Sequence, residues 1–187
     1  MKNAILVPGR PDKDEHYDPS LPSNNQNYWF AWLQRQLILK DIHAVSIEPP
    51  FPFRPRYEEW KQEFERFDIT PETILVGHSC GGGFLVRWLS ENKDKKVGKV
   101  VLVAPWTNPL NYEVSDTADF FDFEIDTGFP ARTAKTTVFI SSDDEPSVVK
   151  TVEILKERVE GIEYQEYTDR GHFKTIKLPE LLDEIVK

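Results

Sequence analysis

The sequence predicts an α/β protein: about six strands, mostly parallel, in one sheet with helices on both faces. Three observations carry that expectation. Short apolar runs alternate along the chain with stretches whose apolar residues recur every three or four positions. The middle runs are nearly continuous in Val, Ile and Leu, as in strands covered on both faces. One run, Ile74-Leu75-Val76, stops at Gly77 and passes through a glycine-flanked serine straight into an amphipathic pattern.

Taken in order, strands are expected at residues 4–7, 44–47, 73–76, 100–104, 137–140 and 163–167. The first helix follows from Trp29, Leu33 and Leu37, spaced by four, with Asn27 as its N-cap. Gly81, Phe84, Leu85, Trp88 and Leu89 form the stripe of a second helix, and Val148, Val152, Leu155 and Val159 that of a third. Leu178, Leu181, Leu182 and Ile185 form the last, where Pro179 is acceptable in a first turn. Parallel strands joined by right-handed crossovers bind ligands beyond their carboxyl ends. Three long loops fall at that rim. Residues 8–26 are polar and rich in Pro and Asp, residues 49–55 read "PPFPFRP", and residues 105–131 carry Trp106, Tyr112, Phe120, Phe121, Phe123 and Phe129.

The 187 residues, 39% hydrophobic and 12% aromatic, suffice for one packed domain, taken as residues 1–187. No internal repeat or low-complexity linker divides them. A net charge of −9 repels phosphate backbones and anionic bilayers, so neither nucleic acid nor a membrane is an expected partner. No apolar stretch approaches the roughly 20 residues of a membrane span. The first apolar run breaks at Pro8-Gly9, too short for a signal-peptide core. The single cysteine, Cys80, allows no intrachain disulfide, which fits a reducing compartment; a soluble cytoplasmic protein is expected.

Gly77-His78-Ser79-Cys80-Gly81 fits the pattern Gly-x-Ser-x-Gly. A serine hydroxyl is a poor nucleophile until a neighbouring base activates it. A sharp strand-to-helix turn pushes that hydroxyl above the sheet edge, and Gly77 and Gly81 let the backbones close in. The following helix aims its first N–H groups at charge that develops on a substrate. The plain alternative is a glycine-rich turn that only packs tightly.

Four histidines compete for the role of base. His16 lies in the polar loop and His43 opens a strand. His78 flanks Ser79, with its side chain expected to point inward. His172, in Arg170-Gly171-His172-Phe173, follows the last strand and reaches the rim that carries Ser79; it is the expected base. The acid that orients it is expected from Asp143 or Asp144, adjacent at the carboxyl end of the fifth strand. Neighbours in an extended segment point opposite ways, so only one faces His172. Two backbone N–H groups complete the set. One is that of Cys80. The other comes from the loop after the first strand, where Pro8 has none; Arg10 is favoured, with Gly9 giving the turn its freedom. The Cys80 thiol as nucleophile is disfavoured, because its side chain turns toward the fold.

On these residues the chain resembles the small α/β-hydrolases of the YdeN type, the family that includes the retinoblastoma-binding serine hydrolase of animals. The shared pieces are "ILVPG", "LVGHSCGG", "DFFDFEID", "ISSDDEPSVV" and "DRGHF". The resemblance implies an α/β-hydrolase fold and a serine hydrolase with a Ser-His-Asp triad and neither metal nor organic cofactor. It implies Asp144 as the triad acid, with Asp143 as the fallback, and activity toward small esters. The chain departs from the family pattern at Arg10, at Cys80 and at Lys150, where a proline often stands. There is no room for the antiparallel strand pair that opens larger relatives, so the expected spatial strand order is 2-1-3-4-5-6. The expected function is hydrolysis of a small or medium acyl substrate, with Trp106, Phe120 and Phe121 as walls of the acyl pocket. The rival expectation is a protein-binding or regulatory member of the fold, contacting its partner through exposed aromatics or "PPFPFRP".

Overall fold

The computed structural model describes residues 2–110 and 118–187. Tyr112 of the aromatic loop lies outside the described residues. Six strands, β1 (Asn3–Val7), β2 (His43–Ser46), β3 (Ile74–His78), β4 (Val97–Val103), β5 (Thr133–Ser141) and β6 (Ile162–Tyr167), form one sheet in the order β2-β1-β3-β4-β5-β6. Every pairing is parallel, so the architecture is the expected α/β-hydrolase sheet.

The helices are α1 (Lys13–Tyr17), α2 (Phe30–Ile38), α3 (Tyr57–Phe64), α4 (Cys80–Glu91), α5 (Ala118–Phe121), α6 (Pro146–Arg158) and α7 (Pro179–Val186). Strand order reverses at β1. Right-handed crossovers therefore place α2 on one face and α3, α4 and α6 on the other. α7 returns to pack against α2. The reversal opens a crevice between the ends of β1 and β3, where ligands bind in sheets of this kind.

β3 is buried at every position, and Val100, Leu102 and Val103 of β4 are inaccessible to solvent. Their apolar side chains on both faces explain the unbroken Val-Ile-Leu runs. β4 and β5 begin earlier than the sequence suggests. The start of β5 is polar, yet Thr136 and Thr137 are only 1% exposed because the strand pairs with β4 and β6 on either side. Two helices, α1 and α5, lie in segments expected as loop, and α3 lies in a segment for which no element was expected. α3 hides in the charged stretch YEEWKQEF, where Tyr57, Trp60 and Phe64 are spaced by three and four and are all buried. The Trp60 ring meets Phe84 of α4 at 5.9 Å, and Phe64 meets Trp88 edge-on at 5.1 Å. α1 sits within the first rim loop, its start fixed by a capping box between Asp12 and Glu15. α5 lies within the third rim loop. Asn27 does not cap α2 directly: Trp29 occupies that position, and the Asn27 side chain accepts the N–H of Tyr28 at 2.9 Å. Among the described residues no helix is long and apolar enough to cross a membrane.

Candidate active site

Ser79 closes β3 and opens α4 with φ 54° and ψ −121°, a conformation costly for any residue with a Cβ. Neighbouring backbone holds it there. Its N–H donates to Val103 O at 3.0 Å, while its carbonyl accepts Trp106 N–H at 3.0 Å and Gly83 N–H at 3.1 Å. The turn also needs Gly81, where a Cβ would stand 2.3 Å from the Val7 carbonyl oxygen and 2.4 Å from that of Pro8. The β1 loop thus lies directly on the start of α4. Gly9 in that loop has no left-handed φ, which corrects the expectation that it supplies conformational freedom. Its value is close approach, since a Cβ there would meet Ser79 Cβ at 3.0 Å.

His172 follows β6 on the same rim. Its Nδ1 lies 2.8 Å and 3.0 Å from the two carboxylate oxygens of Asp144, so Nδ1–H is the donor and Nε2 is left for the cavity. The Asp144 side chain is fully buried and its Oδ1 also accepts the N–H of Glu145 at 2.6 Å. Asp143 points the other way. It accepts the Ser141 hydroxyl at 2.5 Å and the Gly171 N–H at 2.9 Å, and these two contacts, the hydroxyl first, hold its carboxyl below the usual range. Ser141 in turn accepts Arg170 N–H at 3.0 Å. The two aspartates therefore divide the work: one touches the imidazole and the other secures the loop that carries it.

Ser79 and His172 line one cavity of about 200 Å³, together with Gly9, Arg10, Tyr28 and Trp106. Ser79 lines the cavity, and among the described residues no hydrogen bond joins its hydroxyl to the imidazole. Asp12, Glu15, Glu145 and Lys174 add charge to its wall. Arg10 Nη1 donates to Phe53 O at 3.4 Å and lies 3.6 Å from Asp12.

The aromatic wall expected from the third rim loop needs correcting. Trp106 lines the cavity, its indole N–H donating to Ser147 Oγ at 2.7 Å. Phe120 does not: it is 1% exposed and sits among Trp60, Phe84 and Tyr57, beneath the loop. Phe121 packs behind Trp106, ring to ring at 4.8 Å, and is also absent from the lining. Burial removes more apolar surface from water than a cavity wall does, and α3 supplies the partners. Cys80 is inaccessible to solvent, and burial pushes its thiol up, away from the reactive thiolate. His16 and His43 are exposed. Tyr28, Glu15 and Lys174 were not anticipated. Tyr28 and Lys174 lie in irregular segments and Glu15 in the single turn-and-a-half of α1, too short for a periodicity to mark it, although an isolated tyrosine in a polar loop is a usable signal.

Among the described residues no group of three or more His, Cys, Asp or Glu is arranged to hold a metal ion. The model of one protein family, described as serine hydrolase, matches residues 19–176. The chain belongs to the serine hydrolase family. Within that family it is similar to the putative hydrolase YdeN of Bacillus subtilis (strain 168), at 30% identity over 91 residues. That match spans 47% of this chain and about half, 48%, of the relative. The crystal structure of the ydeN gene product from B. subtilis superposes with a TM-score of 0.82 at 21% identity, covering 100% of this chain and 97% of the other. An esterase from Exiguobacterium antarcticum, EaEST, follows the same fold with a TM-score of 0.69 at 12% identity, covering 100% and 92%. Est1E from Butyrivibrio proteoclasticus does so at 0.65 and 11%, covering 99% and 85%. The serine hydrolase is thus YdeN-like in sequence and fold.

Proposed function

We propose that this serine hydrolase cleaves small or medium ester-like acyl substrates through Ser79, His172 and Asp144, by way of an acyl-enzyme. The observation that carries the reading is the Asp144–His172 contact at the wall of the cavity that Ser79 also lines. Ser79 Oγ attacks the acyl carbonyl carbon as its proton passes to His172 Nε2. Asp144 fixes the tautomer and stabilises the imidazolium. The backbone N–H groups of Cys80 and Arg10 hold the oxyanion, and loss of one such donor costs roughly 3 kcal/mol of barrier. The tetrahedral intermediate collapses as His172 returns the proton to the leaving alcohol. Water, deprotonated by the same imidazole, then releases the acid and restores Ser79.

A cavity of about 200 Å³, charged on several sides, favours short polar esters over long acyl chains. One structural neighbour, EaEST, is described as an esterase, and another, Est1E, has been seen with ferulic acid bound. A third, FphF from Staphylococcus aureus, is described as a fluorophosphonate-binding serine hydrolase. A fluorophosphonate probe is therefore the direct test. Labelling of the wild type and none of Ser79→Ala supports the reading, and unlabelled folded wild type overturns it. A panel of p-nitrophenyl esters is expected to show turnover falling as the acyl chain lengthens.

A second reading, a protein-binding member of the fold, is favoured by one patch. Tyr17 and Phe51 are 62% and 48% exposed, Phe53 bridges them, and Arg54 stacks over Phe51 at 4.7 Å. Folded wild-type protein that resists the probe would favour this binder.

A further inference from the structure

We propose that His78, the residue before the nucleophile, is a positioning residue that holds the His172 loop by donating a hydrogen bond from its ring to the backbone carbonyl of His172. The inference rests on the reading of Ser79, His172 and Asp144 given above. Three observations carry it. His78 Nε2 lies 2.9 Å from His172 O, and since a carbonyl only accepts, Nε2 bears the proton. The ring is 3% exposed and enclosed by Trp29 at 5.7 Å, Phe30 at 6.2 Å and Tyr28 at 6.4 Å, so it has little freedom to turn. The two imidazoles lie 4.9 Å apart, which makes the bond the direct bridge between the nucleophile turn and the loop of the base.

The loop needs such a bridge. Gly171 and Phe173, on either side of His172, have left-handed φ values of 48° and 55°. Phe173 has a Cβ, so its conformation is strained and persists because its surroundings hold it. Asp143 and Ser141 grip the loop at Gly171 and Arg170. Only His78 grips it from the β3 side, among the described residues, at the residue that carries the imidazole. The groups facing His78 are His172, Lys174 and Tyr28. Desolvation chiefly, with the neighbouring His172 and Lys174, keeps the ring neutral, its pKa pulled down to about 3. A neutral ring donates from Nε2 throughout the range in which His172 must act as a base.

Two pairs of variants test this, read by ester turnover and by the proton resonance of His172 Nδ1–H against Asp144. His78→Phe keeps a ring and loses the donor, whereas His78→Gln loses the ring and keeps an amide N–H at the reach of Nε2. The proposal expects kcat of His78→Phe to fall by about 10- to 100-fold with KM within about 2-fold, the cost of a displaced catalytic group. His78→Gln is expected to stay within about 3-fold of wild type and to keep the Nδ1–H resonance that His78→Phe shifts or loses. The opposite ranking, Phe active and Gln impaired, overturns it and makes His78 a packing residue. If His78→Phe does not fold, His78→Asn replaces it, because its shorter amide misses the carbonyl; equal turnover of Asn and Gln variants then overturns the proposal. Wild-type protein without esterase turnover would sink the reading of the site instead, and the resonance would still decide the role of His78.

Discussion

Two loops flank Ser79 and dispose of their aromatic residues in opposite ways. The loop after β1, residues 8–29, is polar, yet it presents Tyr28 to the cavity beside Arg10 and Glu15. The loop between β4 and β5 is aromatic, yet of the rings expected as its wall only Trp106 reaches the cavity. Phe120 and Phe129 are buried in the core instead, at 1% and 0% exposure. An aromatic ring goes where the most apolar surface can be withdrawn from water, and α3 and α4 offer more than an open crevice does. Polar residues are left to surround the nucleophile. The β1 loop even holds Tyr28 at a left-handed φ of 50°, a strained placement of the kind that clusters at ligand sites.

The contrast can be broken most sharply at Gly81, where the β1 loop rests on α4. Gly81→Ala drives a methyl into the Val7 and Pro8 carbonyls, which are backbone and cannot swing aside. Turnover is expected to drop by more than about 100-fold through displacement of the loop from Ser79. Near-normal activity in purified variant would show that the loop does not shape the site. Next in size is Phe120→Ala, expected to cost about 3–5 kcal/mol in chemical denaturation while leaving the ester chain-length preference unchanged. A changed preference with intact stability would return Phe120 to the cavity wall.

The pH dependence of stability sharpens the comparison from beneath the β1 loop. The folded pKa of His78, about 3, is below its ordinary 6.5. The unfolded chain therefore binds the extra proton first, so this contribution is present above about pH 6.5 and is lost as the pH falls toward 3. Replacing His78 with glutamine should flatten the loss of stability over that window by an amount on the order of a few kcal/mol. Urea midpoints at pH 7 and pH 4 for both proteins measure it, and parallel pH profiles would refute it. The smallest effect is expected at Tyr28→Phe, which removes the hydroxyl that donates to Glu15 at 3.4 Å. Stability should change by about 1 kcal/mol or less, while KM for a polar ester rises a few-fold. An unchanged KM would assign Tyr28 to packing alone.

Much of this was legible in the chain. The four middle strands were plain because strands covered on both faces cannot hide their composition. The serine turn was plain because glycines flank a hydroxyl between a strand and a helix. α3 was missed although Tyr57, Trp60 and Phe64 keep a helical spacing, since the charged residues between them dominate the stretch. The choice between Asp143 and Asp144 could not be made from alternation alone. It depends on where the loop after β6 arrives, and that loop comes from the far end of the chain.

Periodicity and turn chemistry, which are local, dictated the strands, most helices and the segments that meet at the rim. Long-range packing settled the rest: which carboxylate touches His172, that His78 grips its backbone, and that Phe120 belongs to the core. Those outcomes depend on distances between residues tens of positions apart, and such distances exist only once burial of the sheet's two faces has brought the rim together.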